Sequence, residues 1–271
     1  MAQWIDVKDA DDPRVRAYRD VRERDLVGRN GCFIAEGEVV VRVLIERSPL
    51  PVQSVLVAAP RVERLAPLLS QLTDMQPVYV LPQADMDGLV GFPIHRGLLA
   101  LGGPVPALTP GRVLANAHAS APPREPICLG LIGLSNHDNM GGLLRNAAAF
   151  GVGGVLIDET CCDPFYRKAI RVSVGGALTV PLARVPDGPS MIDAFERGGY
   201  RVFALSPDGT RPVDQIPAKG PTALLLGSEK HGLPGTVVSR CESVRIDTAG
   251  GLDSLNVATA SGIALHSLYR A

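Results

Sequence analysis

The chain has no run of about 18 apolar residues, the length a membrane-spanning helix needs, so no transmembrane segment is expected. It contains no HExxH and no GxSxG, and no GxGxxG follows its first strand. Zinc hydrolases, serine hydrolases and ordinary dinucleotide-binding enzymes therefore lose their usual sequence support. Lys230 follows no GxxxxG and precedes no Ser or Thr, so there is no Walker loop. Cysteine is sparse: Cys32, Cys128, Cys161, Cys162 and Cys241 form no CxxC pair and match no common zinc spacing. No metal site is expected. Their odd number, with a charged opening MAQWIDVKDADDPRVR unlike an export signal, points to reduced thiols in a cytoplasm. An excess of one charge is lacking too, since 27 basic and 28 acidic residues leave a formal net charge of -1. An anionic partner must then meet a local positive field.

What is present is core material. The 271 residues are 46% hydrophobic, enough for one large domain or two modest ones and too much for a disordered chain. Residues 1–30 read as a charged helical segment. Arg14, Arg16, Arg19, Arg22, Arg24 and Arg29 alternate with acids, Asp12-Pro13 marks a helix start and Gly28 a stop. Such a helix is either solvated and held by its own ion pairs or presents a basic face to phosphates. Residues 31–102 alternate short β-branched or apolar runs with helical stretches, which predicts a small α/β domain. Between 103 and 126 lie Pro104, Pro106, Pro110, Pro122, Pro123 and Pro126. Proline at that density opposes helix and inner strand alike, so a linker is expected, with room for a short helix over 114–118. From 127 to 271 the alternation resumes more strongly. ICLGLIGL is apolar throughout, as in a strand buried on both faces; GVLID, RVFALS, TALLLG and SVRID follow, separated by helical segments. The pattern predicts a parallel sheet covered on both sides.

Ligands of such sheets bind at the carboxyl ends of the strands. Three loops there are rich in glycine and small polar residues: SNHDNMGGLLRNAAAFG, GSEKHGLPG and DTAGGLDSLNVATASG. In the first, any of Asn136, His137, Asp138 and Asn139 can cap the following helix. Arg145 stands in that helix among Leu143, Leu144, Ala147, Ala148 and Phe150. It is either a snorkelling or ion-paired arginine, or a cation aimed at a phosphate or a developing oxyanion. In the second loop, Gly227, Gly232 and Gly235 allow turns and close backbone approach. Glu229 is a loop carboxylate or a functional one, and His231 reads as a solvated loop residue. In the third, Ser254 is a plausible cap for the last helix. The small residues of ATASGIAL suit close packing against a neighbour, either the helix's own sheet or a second subunit.

Together the three loops resemble the motifs of the SpoU-type (TrmH-like) RNA ribose 2′-O-methyltransferases of the SPOUT superfamily. Asn139, Gly141 and Arg145 match the first motif, GSEKHGL the second, and IDTAGGLDSLNVATASGIAL with its Ser-Leu-Asn core the third. YRKAIRVSVGGAL, with Arg171, Ser173 and Gly175, is also similar to the family. FIAEGEVVVRVLIE resembles the small substrate-binding domain, of L30e type, that many members carry. One stretch departs: Ile246-Asp247-Thr248 stands where the family commonly has Ile-Pro-Met. The resemblance implies a C-terminal knotted parallel-sheet domain preceded by a small L30e-like α/β domain. It further implies a homodimer, S-adenosylmethionine as cofactor, and rRNA or tRNA rather than DNA as partner. Arg145, Asn139, Glu229, Ser254 and Asn256 are then the expected catalytic residues. Leu205, Ser206, Gly227, Ile246 and Leu255 are expected to bind the cofactor, and Arg29, Glu36 and Arg171 the RNA. Three rival readings stay open: a non-catalytic RNA-binding or ribosome-assembly protein on the same fold, a base-directed RNA methyltransferase, and a generic nucleotide-binding α/β enzyme.

Overall fold

The structure, a computed structural model, describes residues 2–19, 31–120, 124–217, 219–249 and 254–270. It forms two compact units, Met1–Pro106 with Phe165–Thr179, and Ala107–Pro164 with Val180–Ala271.

The first unit is built on strands β1 (Trp4–Asp6), β2 (Phe33–Glu36), β3 (Val52–Ala58), β4 (Val78–Leu81) and β5 (Leu98–Gly102), in the order β1-β4-β3-β5-β2. β1, β4 and β3 run parallel, while β5 is antiparallel to β3 and to β2. Helix α1 (Glu38–Glu46) buries Val40, Val41 and Leu44 on one face. On its other face Glu38, Arg42 and Glu46, four residues apart, pair their charges. Helix α2 (Val62–Leu69) carries Pro67 near its end, which removes one backbone donor there. Helix α3 (Gln83–Val90) closes on Gly91, which is left-handed at φ 86°.

Over residues 2–19, the described part of the expected charged helical segment, the helical reading is corrected. β1 extends the sheet, and among these residues only Pro13–Tyr18 coils, as a 3-10 helix capped by Asp12. The cause lies in the apolar residues spaced between the charges. Val7, Val15 and Tyr18 are buried, and the Tyr18 hydroxyl bonds Ser54 Oγ at 2.8 Å and accepts from the Leu101 amide at 3.3 Å. Arg22, Arg24, Gly28 and Arg29 lie outside the described residues.

The second unit begins within the expected linker. Helix α4 (Pro110–Ser120) forms there because Pro110 sits at its first turn, where no amide donor is needed, and Val113, Leu114 and Ala117 bury one face. There follow β6 (Ile127–Leu131), α5 (His137–Ala149) and β7 (Gly154–Asp158). Helix α6 (Arg167–Val172) belongs to the first unit. It is held there by an ion pair from Arg167 to Glu36 of β2 and, just beyond it, by the Ser48 hydroxyl donating to the Leu178 carbonyl at 2.6 Å. The chain resumes the second unit with β8 (Leu182–Val185), α7 (Gly188–Arg197), β9 (Arg201–Leu205), β10 (Arg211–Pro212) and β11 (Thr222–Leu226). It ends with α8 (Gly235–Val238), β12 (Glu242–Arg245) and α9 (Val257–Arg270). The seven strands are all parallel, in the order β10-β12-β9-β11-β6-β7-β8. β6 and β11 lie inside the sheet, and their apolar runs are buried almost throughout. The carboxyl ends of β6, β9, β11 and β12 deliver the polar loops.

Candidate active site

The loop after β6 is set by a buried carboxylate. Asp158, 4% exposed at the end of β7, accepts from the Gly133 amide at 3.2 and 3.3 Å, the Thr160 hydroxyl at 2.9 Å and the Cys161 amide at 3.0 Å. Neighbouring Cys161 donates from its thiol to the Leu131 carbonyl at 3.3 Å and accepts from the Leu134 amide at 3.3 Å, and burial pushes that thiol up to about 12. On the far side of the loop, Asn136 caps α5, its side chain accepting from the Asp138 amide at 2.8 Å. Of the four residues able to cap, Asn136 does so, and Asn139 is left to point elsewhere from the first turn of α5.

The loop after β11 turns back at Gly227. A Cβ there would lie 2.2 Å from the carbonyl carbon of Gly232, so only glycine permits the closure. The closure is locked by the Gly232 amide donating to the Ser228 carbonyl at 2.9 Å. After β12, Arg245 donates from Nε to Asp247 at 2.8 Å and from Nη1 to the Gly209 carbonyl at 3.0 Å. The departure at 247 is thus taken up on the strand's own arginine, while Thr248 faces the cavity.

The loops after β9, β11 and β12, with the start of α9, line a cavity of about 620 Å³. Its wall includes all five residues expected to bind a cofactor, Leu205, Ser206, Gly227, Ile246 and Leu255, together with Glu229 and Ser254. Asp208 and Thr248 line it too and were missed by the sequence reading, although Ser206-Pro207-Asp208-Gly209 carries turn chemistry after a strand.

Beside the cavity, reaching its wall through Glu229, three motifs meet at one side chain. Asn256 donates from Nδ2 to Asn139 Oδ1 at 3.0 Å and to Glu229 Oε1 at 2.8 Å. Its Oδ1 accepts from the amides of Ala258 and Thr259 at 2.9 and 3.2 Å, capping α9. The cap is therefore Asn256; Ser254, expected in that role, is exposed and lines the cavity instead. Asn139 is 7% exposed, a buried polar group whose one acceptor bond comes from Asn256.

Arg145 is exposed on α5, is not among the cavity-lining residues, and makes no hydrogen bond or ion pair among the described residues. Its neighbour Asn146, which the motif reading passed over, donates to the Ala258 carbonyl at 2.7 Å and to Ser261 Oγ at 2.9 Å, joining α5 to α9. In the first unit, Glu36 is 8% exposed and engaged by Arg167, with Arg171 Nη1 at 3.9 Å. Glu36, expected to contact RNA, is placed here as a buried, paired carboxylate that holds the two arginines. Arg171 remains part-exposed, and Arg29 lies outside the described residues. Among the described residues no cluster of His, Cys, Asp and Glu is arranged to hold a metal.

The chain is similar in sequence and fold to known proteins. The model of the SpoU rRNA methylase family matches residues 126–266. An uncharacterized tRNA/rRNA methyltransferase of Mycobacterium tuberculosis is 36% identical over 275 residues, which span 98% of this chain and 91% of that protein. The crystal structure of an AdoMet-bound rRNA methyltransferase from Sinorhizobium meliloti superposes with a TM-score of 0.80 at 22% identity, over 99% of this chain and 98% of that one. An RNA 2′-O ribose methyltransferase structure gives a TM-score of 0.73 at 22% identity, with the same coverage. With the first motif tied to the other two through Asn256, and with the family model matching residues 126–266, more than half its length, the chain belongs to the SpoU rRNA methylase family of RNA methyltransferases.

Proposed function

We propose that the chain transfers a methyl group from S-adenosylmethionine to a ribose 2′-hydroxyl of a structured RNA, either rRNA or tRNA. The observation that carries this reading is the Asn139–Asn256–Glu229 chain of hydrogen bonds beside the cavity. It links all three motifs in fixed geometry, and fixed geometry is what a displacement at carbon requires.

The cavity residues fit the cofactor. Leu205, Leu226, Ile246 and Leu255 give apolar walls for an adenosyl group, and the Gly227 turn brings backbone to the surface. Asp208 and Glu229 set carboxylates at the rim, complementary to a sulfonium and an ammonium. Bound there, the cofactor would supply an electrophilic methyl carbon. The chain's own part is to orient the hydroxyl and favour loss of its proton. Asn256, its two amide hydrogens given to Asn139 and Glu229, would act as a positioning residue that holds both in place, and the other carboxylate oxygen of Glu229 would orient the ribose hydroxyl. Arg145 would act as a cation, gripping the adjacent phosphate and lowering the hydroxyl's pKa. A guanidinium stays protonated in protein settings, so it is not assigned as a base. In the proposed homodimer, Arg145's exposed guanidinium would face a cavity of the second subunit. The knot in the second unit, the L30e-like character of the first and a cytoplasmic location belong to the same reading.

The test mixes protein, labelled S-adenosylmethionine and unmodified total RNA, then maps the labelled nucleotide. Replacing that nucleotide by its 2′-deoxy form should abolish labelling. Labelling that survives the replacement makes the enzyme base-directed, and protein that binds no S-adenosylmethionine is a non-catalytic relative.

A further inference from the structure

Two walls of the cavity meet at the carboxyl end of β12, and one side chain binds both. β12 lies between β9 and β10 in the sheet. The connection from β9 to β10, residues 206–210, therefore has to cross β12. It crosses at close range: the Ser206 amide donates to the Val244 carbonyl at 2.9 Å, and the Thr210 amide to the Ser243 carbonyl at 3.1 Å. A Cβ on Gly209 would lie 2.2 Å from the Val244 carbonyl carbon, so only glycine fits at the crossing. The crossing segment presents Ser206, Pro207 and Asp208 to the cavity, and the chain leaving β12 presents Ile246 and Thr248.

The first of these walls is firm. It closes as a turn, the Gly209 amide donating to the Ser206 carbonyl at 3.1 Å. Beyond it, β10 is pinned to β12 by the Thr210 hydroxyl, which donates to the Ser243 carbonyl at 2.9 Å, and by the ion pair of Arg211 with Glu242. The second wall has less to hold it. Asp247 and Thr248 make no backbone–backbone hydrogen bond among the described residues. Arg245 fastens it to the first. Its Nη1 donates to the Gly209 carbonyl at 3.0 Å and its Nε to Asp247 Oδ1 at 2.8 Å. The donors of a guanidinium stand in a rigid planar fork, so one side chain sets the spacing of the two walls.

We propose that Arg245, acting with Asp247, is a positioning residue for S-adenosylmethionine, holding residues 206–208 and 246–248 at the spacing the cofactor needs. The inference rests on the methyl-transfer reading given above. Neither residue lines the cavity itself. Both side chains are partly exposed, Arg245 at 35% and Asp247 at 65%, and an exposed ion pair adds little to the stability of a fold. What such a pair does is restrict the loop. A wall ordered before the cofactor arrives takes no ordering cost out of binding. Without the tie the wall adopts the binding spacing only part of the time, and affinity falls by that fraction.

The experiment titrates S-adenosylmethionine calorimetrically into the full-length protein and follows amide hydrogen exchange over 245–249 in the free protein. Arg245→Gln and Asp247→Ala should each raise Kd about tenfold, the result of a binding spacing populated about a tenth of the time. Their melting temperatures should stay near wild type, while exchange over 245–249 quickens. Asp247→Asn keeps an oxygen for the Nε donor and should bind more tightly than Asp247→Ala. Arg245→Lys keeps the charge without the fork and should not restore affinity. As a control, Arg240→Gln breaks exposed ion pairs to Asp193 and Glu196 in the same unit and should change neither Kd nor exchange. Wild-type Kd in both Arg245→Gln and Asp247→Ala overturns the proposal, as does full affinity in Arg245→Lys or an equal loss in Arg240→Gln. Wild-type protein that binds no S-adenosylmethionine overturns the proposed function instead. Exchange in the free protein then decides the tie, and an unchanged rate in Asp247→Ala overturns it.

Discussion

Asn256 does two things with one amide. Its oxygen caps α9, and its nitrogen holds Asn139 and Glu229. Asn256→Asp separates them. The oxygen cap survives, and a negative charge at a helix start is favourable. The nitrogen is replaced by an oxygen that faces two acceptors. Melting temperature should stay near wild type while single-turnover methylation falls by about 10²- to 10³-fold, the range for loss of one positioned donor. Asn256→Ala removes both roles and should also lose about 0.5–2 kcal/mol of stability. Wild-type turnover in Asn256→Asp would make the hydrogen-bonded chain dispensable. Arg145→Ala makes a complementary case: methyl transfer should drop strongly while calorimetric affinity for S-adenosylmethionine holds, since Arg145 touches no wall of the cavity. At this scale the sequence named residues that the structure brings together, Asn139, Glu229 and Asn256, because Ser-Leu-Asn and Asn-x-Gly-x-x-x-Arg carry their chemistry in their residue types. It was less informative about roles. Ser254 and Asn256 both suit a cap by residue type, and the choice rests on backbone direction, which is set by the loop's tertiary course.

The α5–α9 seam is where elements decide the site. A Cβ on Gly142 would lie 2.7 Å from the Ala258 Cβ, so the helices touch where Gly142 meets Ala258. That contact brings Asn139 within reach of Asn256. Gly142→Val should force the helices apart, with overpacking of about 1–3 kcal/mol read from denaturant midpoints. Methylation should fall further than that loss alone explains, because the Asn139–Asn256 bond lengthens. A variant as active as wild type would show that the site tolerates the spreading. The small-residue stretch ATASGIAL announced close packing but not its neighbour, and the structure supplies α5 of the same chain. The buried parallel strands were legible because their apolar runs are continuous. β1 was not: three residues, Trp4–Asp6, are too short for any period, and their pairing with β4 is decided by an edge far away in sequence.

For the molecule as a whole, residues 165–179 were unreadable as part of the first unit, because periodicity along the chain says what a segment becomes and not which sheet it joins. The chain's net neutrality also hides what its interior does with protons. Burial pushes the thiols of Cys128, Cys162 and Cys241 up to about 11 and that of Cys161 to about 12, from an ordinary 9.0. The hydroxyls of Tyr18 and Tyr200 are pushed up as well, again chiefly by burial. An acid whose folded value is raised keeps its proton in the native state while the unfolded chain has already lost it. Above pH 9 the unfolded state therefore binds fewer protons than the native one, and stability falls as pH rises. A tenfold difference in acidity between the two states is worth about 1.4 kcal/mol, so denaturant midpoints should be flat from about pH 7 to 8.5 and decline steadily from about 9 to 11. Cys128→Ala and Cys161→Ala combined should make that decline shallower, although the variant starts from lower stability because each leaves a small void. A decline of unchanged steepness would mean that these thiols ionise in the folded protein as readily as in water.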